Sequence, residues 1–223
     1  MNKLIYYLSI LSVWFLAPGE LRGQVTLVKN GKAVARILLA EETEANRQAA
    51  ALLQDFVHRI SGATLPIGTT GNAKPAQGEI RIGGAPDEGA GEDGFGLTTT
   101  HGCLEITSGG GKGAIYGVVT LLEDYLGVAY YAKDTYTLTP SSTVVLPAIR
   151  RVETPAFRYR QTWSYGCEDP VYRQWFRLKE PQELFAGNLW VHTFDRLIPS
   201  DVYGQAHPEY YAFINGRRRP GKA

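Results

Sequence analysis

The chain has 223 residues, of which 44% are hydrophobic and 20% charged, and its formal net charge is +1. That length holds one complete domain and part of a second, and the near-neutral balance removes the electrostatic argument for a nucleic acid or an anionic membrane as partner. Two cysteines, Cys103 and Cys167, have no second Cys or His at metal-ligand spacing. No zinc centre and no organic cofactor are therefore expected, and the thiols read as two separate buried groups.

The first 23 residues read as an export signal. Lys3 supplies the positive start, and Leu4 to Ala17 is an uncharged, largely apolar run. At about 14 residues it matches a signal-peptide core better than a bilayer-spanning anchor, the alternative reading of this segment. Ala17-Pro-Gly19 and Leu21-Arg-Gly23 are both plausible cleavage sites, the second giving a mature start at Gln24. The expected location is periplasmic, cell-surface or secreted, with no stable membrane insertion after cleavage.

Residues 24–150 read as a mixed α/β domain. Val25 to Val28 and Val34 to Leu39 are β-type runs around Asn30-Gly31, whose two residues tolerate positive φ and so favour a hairpin. Thr43 is placed to cap a helix in which Ala45, Ala49, Leu52, Leu53, Phe56, Val57 and Ile60 keep one face, and Gly62 stops it. Leu65 to Ile67 and Glu79 to Ile82 follow as strands, and the Gly- and acid-rich Gly83 to Gly94 reads as a surface loop. Gly96 to Thr100 and Cys103 to Thr107 form a hairpin about His101-Gly102. A second helix spans Lys112 to Leu126, with Ile115, Val118, Val119, Leu122 and Leu126 on one stripe and Gly127 after it. Val128 to Tyr131 and Thr143 to Leu146 are the last strands, and Pro147 to Thr154 reads as the link onward. Two one-faced helices among these strands predict a mixed sheet covered mainly on one side.

Gly109-Gly-Gly-Lys-Gly113 opens the second helix and tempts a phosphate-loop reading. The spacing excludes it: Ile106 stands where the pattern needs its first Gly, and Gly113 where it needs Ser or Thr. A tight, closely packed turn is the expectation instead. His58 and His101 read as solvated.

From Glu153 the chain resembles the opening of an eight-stranded β/α barrel, with Ala156 to Tyr159 as its first strand and Leu189 to Val191 as its second. A complete barrel needs on the order of 250 residues, so residues 151–223 are expected to be an incomplete, N-terminal part. Arg160 and His192 would then sit at strand ends on the catalytic rim, with Trp163 in the loop beyond. Arg can grip hydroxyls or a carboxylate bidentately, Trp can stack on a sugar face, and His can donate or accept at neutral pH. Arg160 pairing with a barrel carboxylate and Trp163 merely packing remain open alternatives. Glycosidases usually act through two carboxyls. Glu168, Asp169 and Asp195 show no such pairing and read as loop charges.

Two segments carry a family resemblance. Gly111-Lys-Gly-Ala-Ile-Tyr-Gly-Val-Val-Thr-Leu-Leu-Glu-Asp-Tyr-Leu-Gly-Val128 is similar to a stretch in the N-terminal domain of α-glucuronidases of glycoside hydrolase family 67, and in a related uncharacterised family of exported bacterial proteins. The same small domain precedes the barrel of β-hexosaminidases, and Pro155, Phe157 and Arg160 match the barrel's opening pattern. His192-Thr-Phe-Asp-Arg-Leu-Ile-Pro199 and His207-Pro-Glu-Tyr-Tyr-Ala-Phe-Ile-Asn-Gly216 look closest to the uncharacterised family. The resemblance implies a hexosaminidase-type α/β domain joined to a glycosidase-type barrel, with carbohydrate as partner and Arg160 touching the sugar. Trp163 and His192 carry over more loosely. The families' catalytic carboxyls lie on later strands, so the expected protein is a glycan hydrolase whose present portion is inactive. A non-catalytic glycan-binding or cell-surface accessory protein is the alternative.

Overall fold

The structure, a computed structural model, describes residues 23–71, 74–85, 88–162, 164–179 and 193–220. It divides into two compact units, Met1–Pro155 and Ala156–Ala223.

The first unit is mixed α/β, as its sequence pattern predicts. It opens with β1 (Val25–Lys29) and β2 (Lys32–Ala33), which pair antiparallel as Val28↔Ala33 and Lys29↔Lys32. Asn30 and Gly31 turn the hairpin at φ 50° and 73°, the left-handed values that a two-residue turn matching strand twist requires. The run from Val34 is not one strand. The Val34 and Ala35 N–H groups both donate to the Leu27 carbonyl, and only β3 (Arg36–Leu39) then joins the main sheet.

Helix α1 (Glu44–Ser61) starts where Thr43 Oγ1 accepts from the Asn46 N–H at 3.1 Å. It ends where Gly62, at φ 74°, donates to the His58 carbonyl. Its buried face is Asn46, Ala49, Ala50, Leu52, Leu53, Phe56, Val57 and Ile60. Polar Asn46 is accommodated because its Nδ2 donates to the Glu41 carbonyl at 2.9 Å. The chain continues through β4 (Ile67–Thr69), β5 (Glu79–Ile82), β6 (Phe95–Thr100) and β7 (Cys103–Ser108). Helix α2 (Gly113–Asp124) and strands β8 (Ala129–Ala132), β9 (Thr135–Thr137), β10 (Val144–Leu146) and β11 (Arg150–Glu153) complete the unit.

Six strands form the main sheet in the order β11-β6-β7-β5-β3-β4. Pairs β3/β4, β3/β5 and β5/β7 are parallel, whereas β6/β7 and β11/β6 are antiparallel. Register aligns Ile37, Ile80 and Leu104 in one row and Leu39, Ile82, Ile106 and Leu97 in the next. All seven are buried, and α1 and α2 pack on the sheet and on each other. A second sheet, β10-β1-β2, lies apart in the hydrogen-bonding order.

Two expectations change here. Pro147 to Thr154 is not a free link, because Arg150–Glu153 is an edge strand paired with β6 through Arg150↔Thr98 to Glu153↔Phe95. Helix α2 is not one-faced either: every residue from Gly113 to Leu122 is buried. Gly117 permits this, since a Cβ there would stand 2.8 Å from Ile106 Cγ2 and 3.3 Å from the Phe95 ring.

The second unit is built from short pieces. A 3₁₀ turn, Tyr165–Glu168, leads into α3 (Pro170–Trp175), followed by α4 (Phe194–Leu197), α5 (Ser200–Tyr203) and a 3₁₀ turn at Pro208–Tyr210. Strands β12 (Phe213–Ile214) and β13 (Arg217–Arg218) close a hairpin on Asn215-Gly216, again at positive φ. Among its described residues Trp175, 1% exposed, and Tyr211 are the buried aromatics, and the Tyr211 hydroxyl donates to the Ile198 and Pro199 carbonyls at 3.1 Å each. The barrel's expected first strand does not form: 156–159 is irregular, with Phe157 74% exposed. The expected second strand, Leu189 to Val191, lies outside the described residues.

Candidate functional site

Of the three residues expected to meet a ligand, the structure describes Arg160. Trp163 and His192 lie outside the described residues. Arg160 folds its guanidinium back on its own unit: Nε donates to the Arg177 carbonyl at 2.6 Å, and Nη1 donates to the Phe157 carbonyl. Its own carbonyl accepts from the Lys179 N–H at 2.8 Å. Arg177 can offer that carbonyl because it turns the chain at φ 56° just after α3. The charged head is thus oriented by two main-chain acceptors.

The acidic residues weighed from sequence beside it are structural or exposed. Asp169 caps α3, its Oδ1 accepting from the Tyr172 N–H at 2.9 Å, with Pro170 at the first helical position. Glu168 ends the preceding 3₁₀ turn and is not buried, and Asp195 lies exposed in the first turn of α4. His207 Nδ1 lies 3.0 Å from Glu209 Oε1. Main-chain hydrogen bonding and the His207 contact hold the Glu209 carboxyl below its ordinary value.

In the first unit the glycine turn before α2 explains itself by packing. A Cβ on Gly109 would collide with the Gly91 carbonyl oxygen, and one on Gly113 with that of Gly94. The N-terminus of α2 is not open to a phosphate. The Asp93 carboxylate already occupies it, Oδ1 accepting from the Lys112 N–H at 3.0 Å, and Asp93 is only 2% exposed. Sequence reasoning missed Asp93 because its helix begins 20 residues later; the one available sign was an acidic residue ahead of a glycine tract.

A second missed group is Glu79 on β5, 4% exposed. Its Oε1 meets Arg36 Nη2 and its Oε2 meets Arg81 Nη2, each at 2.8 Å. The Arg36 hydrogen bond first, against burial, and then Arg81 and the Ala76 N–H hold its carboxyl down at about 2. A Glu between two Arg residues on adjacent parallel strands is readable only after Arg36↔Glu79 register is known. The buried carboxylate is thus satisfied by one exposed and one half-buried arginine at the sheet surface.

Cys103 and Cys167 are both free and buried. Burial pushes the Cys103 thiol up to about 11, which leaves it a poor nucleophile. Among the described residues no group of His, Cys, Asp and Glu could hold a metal ion, and no helix is long and apolar enough to cross a membrane.

Residues 20–124 match the family Glycosyl hydrolase family 20, domain 2, and residues 130–223 match Domain of unknown function (DUF4838). No curated protein matches the chain. Among solved structures, the GH20 β-N-acetylhexosaminidase from Streptomyces coelicolor A3(2) is similar at 19% identity and TM-score 0.45, over 62% of this chain and 25% of that one. A family GH115 4-O-methyl-α-glucuronidase, described as specific for decorated arabinogalactans, is similar at 23% identity and TM-score 0.48, over 61% and 19%. A GH20 exo-β-N-acetylglucosaminidase from Vibrio harveyi gives 20% identity and TM-score 0.40, over 62% and 18%. The chain thus spans a quarter or less of the length of these structures. The N-terminal portion is thus similar to a glycoside hydrolase family 20 domain.

Proposed function

We propose that this chain is the N-terminal portion of an exported carbohydrate-active protein that, when whole, hydrolyses a glycosidic bond in a glycan, with α-glucuronidase-like chemistry. The observation that carries this reading is the match of residues 20–124 to a glycoside hydrolase domain. Supporting it are the signal-like residues 1–23 and the resemblance of Gly111 to Val128 to α-glucuronidase N-terminal domains. Arg160, Trp163 and His192 hold the non-reducing-end sugar in this reading, with Arg160 gripping hydroxyls or a uronate carboxylate through its oriented guanidinium.

The test is hydrolysis by the intact protein recovered from its host, on aryl α-glucuronides, aryl N-acetyl-β-hexosaminides and arabinogalactan side chains. Release of glucuronic acid, with Arg160→Ala lowering kcat/KM at least tenfold, is the expected result. Absence of turnover on all three sugar classes sinks the enzyme reading.

A second reading, a glycan-binding accessory protein, keeps the carbohydrate partner without hydrolysis. Retained glycan binding without turnover would select it.

A further inference from the structure

Three rings of the second unit, none of them expected from sequence to hold a ligand, meet one another. His207 stacks on Tyr210 with centroids 4.7 Å apart and planes 9° from parallel. Tyr203 stands against both, 6.3 Å from His207 at 46° and 6.2 Å from Tyr210 at 51°. All three rings keep solvent exposure, 36% for Tyr203 and 47% for Tyr210, with the His207 side chain at 45%.

The backbone holds this cluster firmly. The His207 N–H donates to the Tyr203 carbonyl at 2.7 Å, and the Tyr210 N–H donates to the His207 carbonyl at 3.1 Å. Pro208 begins the 3₁₀ turn between the two stacked rings and fixes φ there. Next along the chain, Tyr211 is buried and anchored through its hydroxyl to Ile198 and Pro199. Exposed rings fixed so closely do not add to a core; they leave apolar faces in water beside polar groups, which marks a recognition surface.

The polar surroundings select the ligand. Glu209 accepts from His207 when Nδ1 carries the proton, which leaves Nε2 as an acceptor, and the Tyr203 and Tyr210 hydroxyls can donate or accept. Flat apolar faces bordered by a carboxylate, an imidazole and phenols suit a pyranose, whose C–H face stacks on rings and whose hydroxyls donate to the rim. An exposed carboxylate held in its ionised form disfavours a uronate.

We propose that Tyr203, His207 and Tyr210, edged by Glu209, form a stacking surface for a neutral pyranose residue of a glycan. The ligand class rests on the carbohydrate reading above, but the surface requires no hydrolysis.

The experiment is affinity electrophoresis of the full chain through gels carrying arabinogalactan, xylan or hydroxyethyl cellulose. At least one polymer should retard the chain. Tyr210→Ala should weaken that retardation at least tenfold, and Tyr210→Phe, which keeps the ring face, should leave it within about twofold. Circular dichroism and a thermal melt report whether each variant is folded. Should Tyr210→Ala disturb the fold, Tyr210→Leu, which keeps apolar bulk without the flat ring, decides instead.

Lack of retardation by every polymer overturns the proposal, as does a folded Tyr210→Ala or Tyr210→Leu variant retarded like the original. Loss in Tyr210→Phe equal to that in Tyr210→Ala also overturns it, because stacking would then not be the cause. Binding that survives where the intact protein turns over nothing removes the enzyme reading alone. Turnover together with unaltered binding in Tyr210→Ala removes this proposal alone.

Discussion

The two units solve the burial problem differently. The first lays two helices over a six-stranded sheet and buries continuous rows, Ile37, Ile80 and Leu104 beside Leu39, Ile82, Ile106 and Leu97. Among the described residues of the second, the buried side chains are Cys167, Trp175, Lys179 and Tyr211. Phe157, Phe194, Leu197, Val202 and Phe213 stay exposed. A fold with a shared core distributes its stability over many contacts, whereas one with a few anchors depends on those few. Substitutions should therefore be felt very unequally in the two units.

The largest effect is expected at Leu104, which is fully buried in the central parallel row. Leu104→Ala should cost about 2–5 kcal/mol of stability through lost burial and a residual cavity, read by urea denaturation. A cost near zero would mean that the first unit's core is not what holds it. Next comes Gly113→Ala, whose new methyl collides with the Gly94 carbonyl and must push α2 off the sheet. A loss of about 1–3 kcal/mol is expected, smaller if the loop before β6 yields.

The third prediction concerns pH. The Glu79 carboxyl sits at about 2 in the folded chain, against an ordinary 4.5. Because the folded value is depressed, its stabilisation is complete above the ordinary value and is lost as pH falls from about 5 towards 2. Glu79→Gln should flatten that part of the stability–pH curve; an unchanged slope would assign the acid sensitivity elsewhere. The smallest effect is expected at Phe157, 74% exposed. Phe157→Ala should change stability by less than about 0.5 kcal/mol, and a cost matching that of Leu104→Ala would abolish the contrast between the units.

Legibility in the sequence followed the same division. Helix α1 was readable because its cap, apolar period and terminal glycine are local signals, although Ala45 is only half-buried and Asn46 and Ala50 join the buried face. Both Asn30-Gly31 and His101-Gly102 announced their hairpins for the same reason. Strand β11 was not readable: Arg150-Arg-Val-Glu153 lies close to Pro147 and Pro155, and its strand character comes from pairing with β6. The all-round burial of α2 was visible in principle, since no charged residue falls between Gly113 and Leu122. The stripe expected there described only part of it.

At Phe157 to Arg160 the alternation of aromatic and basic side chains imitates a strand. Arg160 Nη1 instead reaches back to the Phe157 carbonyl across a bent backbone. In the candidate site, Arg160 was named from sequence, but its two carbonyl partners come from Phe157 and from Arg177 after α3, and nothing local announces the second. Asp93 and Glu79 were missed because Asp93 acts on Lys112 and Glu79 on Arg36, partners distant in sequence.

The two Asn-Gly turns carry a liability of age. Asn30-Gly31 and Asn215-Gly216 each close a two-residue hairpin in which both residues sit at positive φ, one turn in each unit. An unbranched glycine after asparagine leaves room for the glycine nitrogen to attack the side-chain amide, expelling ammonia through a cyclic imide. Reopening of that ring by water at its main-chain carbonyl inserts an extra methylene into the main chain, and a turn so short has no slack to absorb it. Each conversion also adds a negative charge, so the formal balance of +1 would invert once both turns had reacted. An old sample should drift towards the acidic end on isoelectric focusing, and replacing Asn30 and Asn215 with Gly, which accepts the same φ, should arrest the drift.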